Sequence, residues 1–345
     1  MIVTKNFGFD NEKYLQLQIN EIASRIRAAP ESTIYIEFGG KTYDDQHAAR
    51  VLPGYDPNNK LYLLRELSNS FEIVIAVSAR DILKPRIRGD SQLFYDSETL
   101  RIIPLLRDAA NISIRYGVVT MWPSTINSWQ EERLEYFRIK AQQDLNVSFS
   151  RHSLIDSYPS TSVLLDRNNF AGCPKLDIPA KHVLVLSPGG GSGKFSFCLS
   201  QLVHDFAMRK NSVYIKFETF PVFKLPPTHP VNLAFIAATA DLGNTLMYEG
   251  NTGLTTYDKD FENFQLLKGA LCLYSPNPSA NPMIHYQHPS DMGVNRLADG
   301  FVDEQSIIEA SQAEIHRRIY RYQNEISRGV EYSSTIRHLL SVVPF

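Results

Sequence analysis

Between an apolar run from His182 to Leu186 and a helix-like stretch from Phe195 to Arg209 stands the turn Ser187-Pro188-Gly189-Gly190-Gly191-Ser192-Gly193-Lys194. A strand that passes through glycines directly into a helix is the arrangement in which backbone N–H groups converge on an anion. The helix N-terminus adds partial positive charge there. Side chains at Gly189, Gly190, Gly191 or Gly193 would hold phosphate oxygens away from the backbone, and Lys194 supplies a mobile cation. No other segment says as much about chemistry.

Two phosphate-binding patterns fit this turn, each with a departure. In G-x-x-x-x-G-K-[ST], with Gly193-Lys194 as the G-K pair, Pro188 takes the place of the first glycine and Phe195 that of the magnesium-binding hydroxyl. Ser196 follows, but one residue rotates a helical side chain by about 100°, so it does not simply replace the missing ligand. In the dinucleotide pattern G-x-G-x-x-G/A, Gly191, Gly193 and Ser196 take the three small positions. Glu218, closing the next predicted strand, Ser212 to Phe217, then stands where the ribose-binding acid is expected. Both patterns expect a phosphate ester, whether ATP, another nucleotide or NAD; only the first needs Lys194. The same glycines read also as a turn that merely tightens a strand–helix junction.

A chain of 345 residues, 43% hydrophobic and 21% charged, has material for two domains and a sizeable core. A net charge of −2 argues against a nucleic-acid-binding surface over the whole molecule. Cys173, Cys198 and Cys272 show no paired or metal-ligand spacing and suit a reducing compartment. No signal-peptide pattern opens the chain and no apolar run nears the ~20 residues of a membrane helix, so the expectation is a cytoplasmic protein without membrane contact.

β-branched apolar runs recur at Thr33–Phe38, Phe71–Val77, Ile112–Thr120, His182–Leu186, Ser212–Phe217 and Ala270–Tyr274. Amphipathic stretches lie between several of them, at Glu12–Ala28, Lys60–Ser68, Ser97–Ala110 and Ser128–Gln143. Such alternation predicts an α/β fold, a parallel sheet covered on both faces with a P-loop-like or Rossmann-like unit. The turn-rich, aperiodic stretch 151–180 reads as a connection between an N-terminal α/β unit, 1–150, and a second unit, 181–302, carrying the glycine turn. Helices follow over 303–345, with Asp303 as a cap. Ile307, Ile308, Ile315, Ile319 and Tyr322 form a stripe suited equally to covering the chain's own sheet or to self-association, and Arg317, Arg318 and Arg321 lie off it as a solvated basic face.

Ligands of parallel sheets gather at the carboxyl ends of strands. A second turn, Gly39-Gly40-Lys41, falls at such an end and leads to Asp44, Asp45, His47 and Arg50 on a predicted helix, an acid–imidazole–guanidinium set suited to phosphate handling or acid–base work. It reads equally as a capped, salt-bridged helix start. Arg86, Arg88 and Asp90 flank Gly89 in a turn that either clamps an anion or pins a loop. Thr219 adjoins Glu218, His229 sits in a proline-rich loop, and Asp291 and Asn295 flank Met292-Gly293, as ligand contacts or ordinary turn residues. Cys198, one turn into the helix after the glycine turn, either feels the helix dipole or packs on the sheet.

The strings Glu37-Phe38-Gly39-Gly40-Lys41, Asp45-Gln46-His47-Ala48-Ala49-Arg50-Val51-Leu52-Pro53-Gly54, Ile87-Arg88-Gly89-Asp90, Pro188 to Lys194, Cys198-Leu199-Ser200-Gln201, Lys216-Phe217-Glu218-Thr219-Phe220-Pro221, His229-Pro230 and Asp291-Met292-Gly293-Val294-Asn295 resemble the bacterial family catalogued as domain of unknown function 1846. The likeness runs from about Phe7 to the C-terminal helices. Members of that family continue past the point matching Phe345 into a further domain, and the resemblance implies no particular reaction.

The residues themselves lead to an ATP- or nucleotide-binding enzyme that transfers a phosphoryl or nucleotidyl group to a small polar metabolite, or activates it. Lys194, Lys41, Arg50 and Arg88 would hold charge, Asp45 or His47 would orient or deprotonate the acceptor, and Mg²⁺ is expected without an assigned ligand. The alternatives are an NAD-type enzyme with Glu218 on the ribose and a non-catalytic protein that binds a phosphorylated metabolite.

Overall fold

The computed structural model describes residues 8–84, 93–156, 169–170, 173–240 and 256–329. Helix α1 (Asn11–Arg27), capped by the Asp10 side chain on the Lys13 amide, leads into β1 (Thr33–Phe38). Next come α2 (Gln46–Val51), α3 (Asn59–Leu67), β2 (Glu72–Ser78), α4 (Ala79–Leu83), α5 (Tyr95–Ala110), β3 (Ile114–Trp122), α6 (Ser128–Leu145) and β4 (Ser148–Ser153). The later part supplies β5 (His182–Leu186), α7 (Lys194–Ala207), β6 (Ser212–Phe217), α8 (Pro230–Thr239), α9 (Thr256–Tyr274), α10 (Pro289–Met292), β7 (Gly293–Val294) and α11 (Glu304–Ser327).

The strands form one seven-stranded sheet in the order β4-β3-β2-β5-β1-β6-β7, and every pairing is parallel. This is the expected α/β architecture. β5 inserts between β2 and β1, so strands from both sides of the 151–180 stretch interleave in a single sheet, and that stretch does not separate two sheets. The central strands are buried almost throughout, as helices on both faces of a parallel sheet require.

The stretch Ala270–Tyr274 is helical, the last turns of α9, not a strand. Ala270 and Leu271 are buried there while Cys272 and Leu273 are exposed. A short apolar run at a helix end is indistinguishable from a strand by composition alone. The two outermost strands escaped the apolar criterion: β4, Ser-Phe-Ser-Arg-His-Ser, is mostly polar, and β7 has two residues.

Asp303 caps α11 as expected, accepting from the Gln305 and Ser306 amides. Ile307, Ile315 and Ile319 of the stripe are buried in an apolar cluster with Val231 and Ala234 of α8 and Ala48 and Val51 of α2; Tyr322 is also buried, and Ile308 is half-buried. The Tyr322 hydroxyl donates to the Ala237 carbonyl at 2.7 Å. Each such buried aliphatic side chain contributes about 1.5–3 kcal/mol. The stripe therefore covers α2 and α8 rather than the sheet.

Candidate functional site

Three turns meet at the carboxyl edge of the sheet: Ser187–Lys194 after β5, Gly39–Lys41 after β1 and Glu218-Thr219 after β6. The first two are stitched together by Thr42, whose hydroxyl donates to the Ser187 carbonyl at 2.9 Å. The second and third touch where the Gly39 amide donates to the Phe217 carbonyl at 2.7 Å. The two glycine turns thus share one edge.

The turn after β5 is shaped by its glycines. Gly191 and Gly193 have φ of 78° and 74°, a left-handed conformation that L side chains rarely adopt. A Cβ on Gly193 would stand 2.7 Å from Thr120 Oγ1, which itself donates to the Ser192 carbonyl at 2.6 Å. Pro188 and Gly189 are buried, with the Tyr95 ring against Gly189; Gly190 is half-buried and Gly191 exposed at the tip. Helix α7 begins at Lys194 with Gly193 as a cap that has no side chain to offer its amides.

Lys194 does not reach outward. Its ammonium donates to Ser187 Oγ at 2.8 Å and lies 4.0 Å from Glu37 Oε1, with the side chain 5% exposed. Burial pulls its pKa down, and Lys216 and Lys60 add repulsion that Glu37 only partly offsets. Phe195, at the position of the magnesium-binding hydroxyl, points into the core and packs edge-on against Tyr214 at 5.1 Å. The site thus fails the test for that metal ligand, and among the described residues no group of three His, Cys, Asp or Glu side chains is disposed to hold a metal ion.

Around Lys194 lies a buried ionic cluster. Alternation along β1 and β6 sends Tyr35, Glu37, Tyr214 and Lys216 to one face, and the register sets Glu37 directly beside Lys216. Tyr214 OH donates to Glu37 Oε2 at 2.7 Å. Lys216 donates to Asp260 of α9 and lies 2.8 Å from Glu218 Oε2. The carboxylates hold the Lys216 ammonium well above its ordinary range despite burial. Burial pushes Glu218 up to about 8, Lys216 opposing and Asp260 and Glu37 assisting.

Lys60 of α3 sits below the Gly39–Lys41 turn, 2% exposed, and donates to the Gly39 and Lys41 carbonyls at 2.9 and 2.8 Å and to Asp45 Oδ2 at 3.3 Å. Burial draws its pKa down, with Asp45 opposing. Asp45 also caps α2 through the Ala48 amide at 3.2 Å.

His47 and Arg50 face away from this edge, onto α11. His47 Nδ1 is 3.3 Å from Glu314 Oε1, and Arg50 Nε donates to Glu314 Oε2 at 2.8 Å. Arg317 and Arg318 donate to the same carboxylate at 2.7 and 2.9 Å. Burial alone would raise the Glu314 pKa, but these donors hold it far below the usual carboxylate range. The trio Asp45, His47 and Arg50 is therefore divided between Lys60 and Glu314. Arg317 and Arg318 pair with Glu314 within α11, and it is His47 and Arg50 that join α2 to it; Arg321 pairs with Glu325 at 2.9 Å.

Other candidates make contacts within the fold. His229 caps α8 through Nδ1 on the Val231 amide at 3.2 Å. Asp291 accepts from the Gln287 and His288 amides, and Asn295 donates to the Thr219 and Pro221 carbonyls. Thr219 is buried. Cys198 is fully buried, and burial raises its thiol pKa well above the ordinary value. Arg86, Arg88 and Asp90 lie outside the described residues.

The order of strands also separates the two phosphate patterns. β1 lies between β5 and β6, so Glu218 stands two strands away from the glycine turn instead of on the neighbouring strand as in a dinucleotide fold of order 3-2-1-4-5-6.

The family described as Domain of unknown function DUF1846, N-terminal, matches residues 7–343. The chain belongs to this family. It is 39% identical over 326 residues to a UPF0371 protein of Streptococcus equi subsp. equi, covering 92% of this chain and 63% of that protein. To UPF0371 proteins of Corynebacterium urealyticum and Clostridium tetani it is 36% identical over 329 and 335 residues, covering 92% and 93% of this chain and 63% and 62% of theirs. The chain thus spans less than two thirds of the length of these relatives. Among the described residues of this DUF1846 chain, no helix is long and apolar enough to cross a membrane.

Proposed function

We propose that this chain binds a nucleotide or related phosphate ester at the carboxyl edge of its sheet, with a phosphate on the turn Gly189–Lys194. The observation that supports this most is the start of α7: a glycine-built turn, open at Gly190 and Gly191, leads into a fourteen-residue helix whose first amides have no side-chain cap. In the enzyme reading the phosphate is transferred to, or activates, a small polar acceptor. Lys194 then acts from beneath, polarising the turn through Ser187 Oγ, and Lys41 of the adjoining turn supplies a second cation. Magnesium has no hydroxyl ligand at its expected position, which Phe195 makes apolar. The position of Glu218 favours this reading over the dinucleotide one.

Calorimetric titration with ATP, ADP, NAD and pyrophosphate, with and without Mg²⁺, tests the proposal. We expect binding of at least one phosphate ester and its loss in Gly190→Asp, which places a negative charge at the half-buried tip while thermal unfolding shows the variant folded. Absence of binding by all four, or unchanged binding in the folded variant, would overturn it.

A further inference from the structure

A cavity of about 90 Å³ opens at the carboxyl ends of β6 and β7, with Glu218 and Gly293 in its wall and Arg25, Lys224 and Arg296 around it. The Glu218 side chain is 2% exposed, whereas those of Arg25, Lys224 and Arg296 are 24%, 48% and 32% exposed. A buried carboxyl therefore forms the floor and cations form the rim.

Glu218 Oε1 is buried and accepts no hydrogen bond among the described residues, and Lys216 Nζ lies 2.8 Å from the other oxygen, Oε2. Buried polar atoms are nearly always partnered, so an orphan oxygen in a cavity wall marks the place of an absent donor. Gly293 leaves room beside that oxygen. Its φ of −85° and ψ of 149° suit any residue, yet a Cβ there would stand 2.8 Å from Glu218 Oε1 and 3.3 Å from the Pro289 carbonyl. Space, not backbone conformation, is what a side chain at 293 would take from Glu218.

At the rim, Arg25 donates to Glu21 Oε1 at 3.0 Å and to the Asp291 carbonyl at 2.5 Å. Lys224 and Arg296 each lie 3.0 Å from Asp299 Oδ2. Three cations thus share two carboxylates, Glu21 and Asp299, which leaves an excess of positive charge facing the opening.

We infer that this cavity binds a small hydroxylated anion, its hydroxyl on the Glu218 carboxyl and its carboxylate or phosphate against Arg25, Lys224 and Arg296. Glu218, pushed up to about 8 by burial, is mostly protonated at neutral pH. It can then both donate to and accept from a hydroxyl without repelling the anion. At 10–15 Å³ per water the volume holds about six to nine waters, which fits a three-carbon acid or its phosphate. The inference stands whether or not the glycine turn takes a phosphate, because the two sites use different residues.

Titration of the full chain with D-glycerate and glycerol 3-phosphate, against propionate and glycerol as probes lacking the hydroxyl or the anion, tests it. We expect at least one of the first pair to bind about tenfold or more tightly than either control, the loss anticipated when a buried polar group is left without its partner. Glu218→Gln and Arg296→Gln should each weaken binding severalfold, Arg296→Gln with no change in thermal midpoint, and Gly190→Asp should leave it unaltered. No binding of either hydroxyanion at millimolar concentration, equal binding of a control, or wild-type affinity in both Gln variants would overturn the assignment.

Discussion

Glu37 of β1 and Lys194 of α7 face each other at 4.0 Å across the top of the sheet, 11% and 5% exposed, with Tyr214 completing the carboxylate's contacts. Removing one member of a buried pair strands the other and costs about 3–5 kcal/mol, whereas replacing both is far milder. Lys194→Met should therefore destabilise the chain strongly, and Glu37→Gln with Lys194→Met should recover much of the loss. A double-mutant cycle in urea measures this. A coupling near zero would mean that the two charges do not sense each other.

Glu218 should make stability fall as pH rises. Its folded pKa of about 8 lies above the ordinary 4.5, so the folded state holds the proton more tightly, and stability present below 4.5 is lost as pH climbs toward 8. The cause is burial, which Lys216 offsets only in part. Relative to Glu218→Gln, the wild-type chain should lose stability between pH 5 and pH 8 and hold a constant difference above pH 9. Urea unfolding at several pH values checks it, and a difference growing in the wild type's favour would reverse the assignment.

Much of this architecture was legible because burial on both faces of a parallel sheet forces continuous apolar runs, and β1, β2, β3, β5 and β6 all have them. β4 and β7 lay at the edges, where polar or very short strands suffice. The glycine turns were visible as glycines, but the fate of Lys194 was not: sequence spacing shows a lysine at the helix start, while its direction depends on Glu37 from a strand far away in the chain. Two strand sequences do carry a sign of it. Thr-Ile-Tyr-Ile-Glu-Phe and Ser-Val-Tyr-Ile-Lys-Phe carry opposite charges at the same place in two apolar strands, and the register sets Glu37 beside Lys216. Glu314 gave no comparable sign, since a glutamate on a helix with nearby arginines is ordinary until α2 brings His47 and Arg50 to it.

Glu314, 1% exposed, is the acceptor that joins α11 to α2. Glu314→Ala should cost about 3 kcal/mol, the lower end for a broken buried pair, because Arg50 and Arg317 can partly return to water. The pH dependence has the opposite sign to that of Glu218. A carboxylate held far below its ordinary 4.5 contributes fully above that value, and its contribution declines as pH falls below it. The stability gap between wild type and Glu314→Gln should accordingly narrow from pH 5 to pH 3. A gap that stays constant would show the arginine contacts to be without energetic effect.

Phe195→Ser would restore the hydroxyl that a magnesium-using phosphate turn places after its lysine, and the structure argues that the restoration fails. Phe195 is 6% exposed and packed on Tyr214, whose hydroxyl holds Glu37. Deleting a ring from such a position costs about 3–5 kcal/mol, and the new hydroxyl would point into the core, away from the exposed tip at Gly191. The expected outcome is a lower denaturation midpoint with no gain in Mg²⁺-dependent nucleotide affinity. Phe195→Leu, which keeps most of the apolar volume, should recover most of the stability and leave affinity as in the wild type. A gain of Mg²⁺ dependence in Phe195→Ser would show that the first turn of α7 can rotate, bringing this side chain out of the core and onto the ligand.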